Sequence, residues 1–114
     1  MGEVSADIRH QLALLARRPR SRKHEFNRRA PSRWQPTTII NQECGIPFSD
    51  AAAWDFIAKL IESGCPILEV TLESPPGSTA YVLIALVGAE EVYIKVQLGH
   101  GQILGRSFHR SDPR

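Results

Sequence analysis

The chain has 114 residues, enough for one domain with a modest core, and a formal net charge of +2 at neutral pH. No apolar run reaches the roughly 18 residues of a membrane-spanning helix, and the first residues, with Glu3 and Asp7, lack the apolar stretch of a secretory leader. A cytoplasmic protein without a membrane partner is expected, with Cys44 and Cys65 as free, largely buried thiols.

The small net charge hides a division. Residues 1–34 carry nine Arg or Lys against three acids, a balance of +6, whereas residues 35–114 carry five against nine, a balance of −4. A basic segment of this kind concentrates near phosphate backbones or acidic protein surfaces, without selecting a sequence or performing a reaction.

Ile8, Leu12 and Leu15 recur at helical spacing, with Leu14 widening the stripe, which predicts a helix over 5–17 that Pro19 stops. Residues 18–38 hold Pro19, Pro31 and Pro36 among charged residues and read as a linker or extended arm. Phe26 or Trp34 is the candidate anchor of that arm to the body. Arg17, Arg18, Arg20, Arg22, Lys23, Arg28, Arg29 and Arg33 are its candidate nucleic-acid contacts. Ile39 and Ile40 form a short edge strand or fill the core.

Residues 50–63 carry the clearest helical pattern. Ser49 can cap it, Asp50 suits its positive end, and Trp54, Ile57, Ala58 and Ile61 form its apolar stripe. Asp55 and Lys59 are spaced for an ion pair, and Gly64 ends the helix. From residue 66 the period changes to two. Strands are predicted at 67–73, 79–87, 91–98 and 102–109, divided by Ser74–Ser78, Gly88–Glu90 and Gly99–Gly101. The second is almost wholly apolar and is expected to lie centrally, covered at least in part on both faces. The expected fold is α+β, a four-stranded antiparallel meander packed against one or two helices. Residues 1–38 are the basic helix and arm, and residues 39–110 the core domain.

Chemistry is expected on the polar face of the last two strands. Pairing through the turn at 99–101 sets Lys95 near Gly105, Tyr93 near Ser107 and Glu91 near His109. Arg106 joins that face only if a bulge intervenes, for which Gly105 is the candidate position. A phenol, an ammonium, an imidazole and a hydroxyl on one strip can receive a phosphodiester. One group takes the proton of a 2′-hydroxyl, cations stabilise the transition state, and another group protonates the leaving 5′ oxygen. His109 is the candidate acid or base because imidazole changes charge near neutral pH. Lys95 and Arg106 are the candidate phosphate partners, and Tyr93 orients the phosphate or shares the proton transfer. The same stripe also reads as the wet face of a half-buried sheet. The four histidines lack metal-ligand spacing, and no phosphate loop, nucleophile elbow or zinc-finger spacing occurs, so neither metal nor cofactor is expected.

The run Val92-Tyr93-Ile94-Lys95, a turn, and Ser107-Phe108-His109-Arg110 resembles the C-terminal strands of the MqsR and RelE-like toxins of bacterial toxin–antitoxin systems. The resemblance covers residues 66–110 at most. Tyr93 matches the tyrosine of the family's Val-Tyr-Leu-Lys, and His109 falls where the family has the lysine of Ser-Phe-Lys. It implies a RelE-like fold, metal-independent cleavage of single-stranded RNA or mRNA, and neutralisation by a cognate antitoxin protein. The alternative is a non-catalytic nucleic-acid-binding or protein-interaction adaptor that works through its basic arm. In either case a second copy of the chain can add to the stability of so small a core.

Overall fold

Ser5 accepts a hydrogen bond from the N–H of Ile8 at 3.2 Å and starts helix α1 (Ala6–Arg17). Its buried stripe is Leu12, Leu15 and Ala16. The structure, a computed structural model, describes residues 4–24, 33–72 and 77–111. After α1 comes a 3-10 turn at Pro19–Ser21, then two short strands, β1 (Arg22–His24) and β2 (Arg33–Trp34). A second 3-10 turn (Pro36–Thr38) leads into a small hairpin of β3 (Ile40–Asn41) and β4 (Ile46–Pro47). Ile39, just before the hairpin, is fully buried.

Helix α2 (Asp50–Glu62) begins where expected, with the Ser49 hydroxyl accepting from the N–H of Ala52 at 3.1 Å. It ends before Gly64, whose φ of 92° suits a residue without a β-carbon. Ala53, Trp54, Ile57, Ala58 and Ile61 are buried. Each large member of that stripe contributes about 1.5–3 kcal/mol of transfer free energy. The expected Asp55–Lys59 pair does not form. Asp55 binds Arg22 at 2.9 Å and Lys59 binds Glu43 at 2.7 Å, so both charges tie α2 to other parts of the chain.

Strands β5 (Leu68–Thr71), β6 (Thr79–Val87), β7 (Glu90–Leu98) and β8 (Ile103–Arg110) pair consecutively and antiparallel. They are not the whole sheet, and the expected four-stranded meander, with the RelE-like fold it implied, is corrected. β1 and β2 both pair parallel to β8, giving a six-stranded mixed sheet in which β8 lies between β7 and these two added strands. The physical cause is Trp34. Its ring centroid lies 4.9 Å from that of Trp54 and 5.6 Å from that of Phe108, and Gln35 N–H donates to the Phe108 carbonyl at 2.9 Å. Burial of this one large side chain draws part of the expected arm onto the sheet edge. Phe26, the other candidate anchor, lies outside the described residues.

The core lies between the helices and one sheet face, where Leu83, Val92, Ile94, Val96, Ile103 and Phe108 are fully buried. The other face is partly open: β6 is covered on it in part, as expected, with Ala80 and Val82 buried and Ile84 and Leu86 exposed, and Ser107 of β8 is buried there as well. Leu68 and Val70 of β5 also face outward, because Leu68 pairs with Val82 and Val70 with Ala80, while the inward residues of β6 are Tyr81 and Leu83. The cysteines are less buried than expected, Cys44 being exposed and Cys65 half-buried. No helix among the described residues is long and apolar enough to cross a membrane.

Candidate nucleic-acid interface

Side chains of paired residues on neighbouring strands stand on the same face, so the registers decide which groups share the open side. On β7, Val92, Ile94 and Val96 are buried, which turns Tyr93, Lys95 and Gln97 outward. Tyr93 pairs with His109 and Lys95 with Ser107, two residues farther along β8 than expected. One residue of the shift comes from the turn, beyond which Leu98 pairs with Ile103 and Val96 with Gly105, and the other from a bulge: Lys95 pairs with Ser107, and Arg106 is the extra residue between. The bulge also settles the orientation of Arg106, whose guanidinium donates to Gln97 Oε1 at 3.1 Å on the open face. Tyr93, Lys95, Arg106, Ser107 and His109 therefore stand together, as expected, on a register the sequence misplaced.

Two cations of the expected arm join them. Arg33 pairs with Ser107 and Lys23 with Leu104, and both Ser107 and Leu104 are outward positions. The charge of Arg33 reaches the Tyr93 phenol. Burial raises its pKa above the ordinary tyrosine value, and the charge of Arg33 works in the opposite direction. Glu91 is the one acid that the registers put on this face among the described strand residues. Arg33, Lys95, Arg106 and Lys23 thus leave it predominantly cationic.

The other arm residues divide. Arg17 forms a bidentate pair with Glu62 across α1 and α2, at 2.9 and 2.7 Å. Arg22 turns inward, donating to the Ala16 carbonyl at 2.9 Å and to Asp55. Arg18 and Arg20 are exposed beyond the end of α1. Arg28 and Arg29 lie outside the described residues. The sequence signal for Arg33 was its place directly before Trp34, since a buried neighbour in an extended strand turns the preceding side chain to the opposite face.

The aromatic pair has defined geometry. The rings of Tyr93 and His109 are stacked at 5.5 Å with an interplanar angle of 25°. His109 Nδ1 lies 2.7 Å from the Arg110 carbonyl. A carbonyl oxygen only accepts, so Nδ1 carries the hydrogen, and in the neutral ring Nε2 keeps its lone pair. The Tyr93 phenol, its pKa raised, is protonated at neutral pH. The face therefore offers a proton acceptor, a proton donor, a stacking surface and several cations. Among the described residues no group of three His, Cys, Asp or Glu side chains is placed to hold a metal ion.

No protein-family model, curated protein or solved structure matches the chain.

Proposed function

We propose that the protein is a metal-independent endoribonuclease that takes single-stranded RNA onto the open face of its sheet. The observation that carries this reading is the Tyr93–His109 stack with Lys95, Arg106 and Arg33 beside it. In the proposed reaction His109 Nε2 takes the proton of a 2′-hydroxyl. The 2′ oxygen then bonds to phosphorus, and the bond from phosphorus to the 5′ oxygen breaks. Tyr93 gives its proton to that leaving oxygen, while the cations stabilise the charge on the phosphoryl oxygens. The products are a 2′,3′-cyclic phosphate and a 5′-hydroxyl, and water carries the proton from His109 back to Tyr93. The resemblance of residues 92–95 and 107–110 to toxin strands supplies the proposed setting, a cytoplasmic toxin held in check by a cognate antitoxin protein.

The test is incubation of a mixed-sequence RNA with the purified protein in EDTA, with and without ribosomes, beside the His109→Ala and Tyr93→Phe variants. Cutting by the wild type, with cyclic phosphate ends and with both variants inactive but folded, is the expected result. Intact RNA in every arm rejects the nuclease. A second reading, a non-catalytic nucleic-acid-binding adaptor, is favoured by one observation: Lys23 extends the cationic surface beyond the groups that chemistry needs. It predicts RNA binding without cleavage.

A further inference from the structure

The open face has two chemically different halves. β1, β2, β8 and β7 supply cations and the aromatic stack, while β6 and β5 supply aliphatic side chains. Leu68 is 47%, Ile84 48% and Leu86 74% exposed. Ile84 and Leu86 alternate along β6, Leu68 stands opposite Val82 on the same face, and none of the three belongs to the core. Large apolar residues grouped on an open surface mark a site of contact.

The registers join the two halves row by row. Ile84 is the partner of Tyr93, so the aliphatic half begins where the aromatic stack ends. One row runs from Arg33 through Ser107, Lys95 and Val82 to Leu68, with Ser107 and Val82 themselves buried. At about 4.8 Å per strand it spans about 19 Å. That width takes a polynucleotide backbone on the cationic side with its bases turned toward β6 and β5. An unpaired base has an apolar face to bury, whereas a duplex stacks its base faces inside and offers the protein chiefly its phosphates and groove edges. A duplex can satisfy the cationic half and gains nothing from Ile84.

We infer that the aliphatic half is a seat for unpaired bases, and that Ile84, Leu86 and Leu68 set a preference for single-stranded over double-stranded RNA. This rests on the reading of the open face as an RNA site. Continuity with the Tyr93–His109 stack in the same rows, beside a cationic flank, favours this occupant over a protein surface.

The test is fluorescence-anisotropy binding of a short unstructured 2′-O-methyl RNA, which has no 2′-hydroxyl to react, and of the same strand annealed to its complement. The protein is compared with the Ile84→Thr, Leu86→Thr double variant, which places strand-favouring β-branched residues at two outward positions, its fold checked by circular dichroism. The wild type is expected to prefer the single strand by about tenfold or more, the scale of one stacked base. The double variant is expected to lose that preference while keeping its duplex affinity and the salt dependence of duplex binding. Equal wild-type affinity for both forms, or a preference that survives in the folded variant, overturns the base seat while leaving the cationic face as an RNA site. Wild type that binds neither form at low salt overturns the RNA site itself, and the base seat with it. A dimer that dissociates on the double substitution, with the RNA preference intact, assigns the aliphatic half to a second copy of the chain and overturns the inference.

Discussion

The indole of Trp34 lies against Gly105 so closely that a β-carbon at position 105 would stand 2.6 Å from Cζ3 and 2.8 Å from Cε3. The glycine is needed for this approach. Trp34 is also held from the other side, where Nε1 donates to Asp50 Oδ1 at 3.0 Å, tying β2 to the first turn of α2. Gly105→Ala is expected to cost about 1–3 kcal/mol, the usual range for overpacking, because either the indole or β8 must move. Chemical denaturation measures the loss. The same substitution is expected to weaken RNA binding, because displacing Trp34 displaces Arg33 next to it.

Arg9 has a structural task. Its guanidinium donates to the Ile61 carbonyl at 2.7 Å and to the Cys65 carbonyl at 2.6 Å, at the negative end of α2. Arg9→Ala is expected to cost about 1.5–3 kcal/mol, the range for hydrogen bonds to a charged group. Thermal or chemical denaturation gives the value, and RNA affinity measured well below the melting temperature is expected to be unchanged. A loss of affinity without a loss of stability would place Arg9 at the nucleic-acid surface instead.

Local pattern made the helices and the last four strands legible. Ser49 before an apolar stripe specifies α2, and the alternation of residues 91–98 specifies β7. What was not legible depends on long-range pairing. A single buried Trp34 outweighs the charge and prolines around it, and short-range composition cannot register its packing against Phe108 and Trp54. The outward turn of Leu68 is of the same kind, since alternation gives two faces and only pairing with β6 decides which one is inward. For the candidate site, Tyr93, Lys95, Ser107 and His109 were legible as a group, but the turn and the bulge moved their register. Lys23 and Arg33 were legible as cations of the arm, but their place beside this group was not, because parallel pairing to a distant strand leaves no periodicity of its own.

The basic residues separate by salt dependence. Removing one cation that neutralises a phosphate is expected to lower the salt slope of RNA binding by about 1. Lys23→Gln, Arg33→Gln, Lys95→Gln and Arg106→Gln are expected to do so one at a time. Arg17→Gln is expected to leave the slope unchanged, because its guanidinium is engaged with Glu62 away from the face. Titration of affinity against potassium chloride distinguishes the two groups. A fall in slope for Arg17→Gln alone would move the nucleic-acid surface to the helical side.

Alkaline pH tests the environment of the two tyrosines. Burial raises the pKa of Tyr93, opposed by Arg33, and burial followed by the charge of Glu69 raises that of Tyr81. The unfolded phenol titrates near pH 10, so the folded state binds the proton more tightly than the unfolded state. The stabilisation is fully present below about pH 10 and is lost as pH rises through the folded values. Denaturation curves from neutral pH upward are therefore expected to show stability falling as the unfolded phenols ionise, with a smaller fall in Tyr93→Phe and in Tyr81→Phe. Two charge substitutions separate the sites by phenolate absorbance. Glu69→Gln is expected to bring the Tyr81 transition to lower pH, since it removes a negative neighbour. Arg33→Gln is expected to push the Tyr93 transition to still higher pH, since it removes the positive neighbour that opposes burial. A Tyr93 transition unmoved by Arg33→Gln would show that the guanidinium does not act on the open face, and the cationic site would then rest on Lys95 and Arg106 without it.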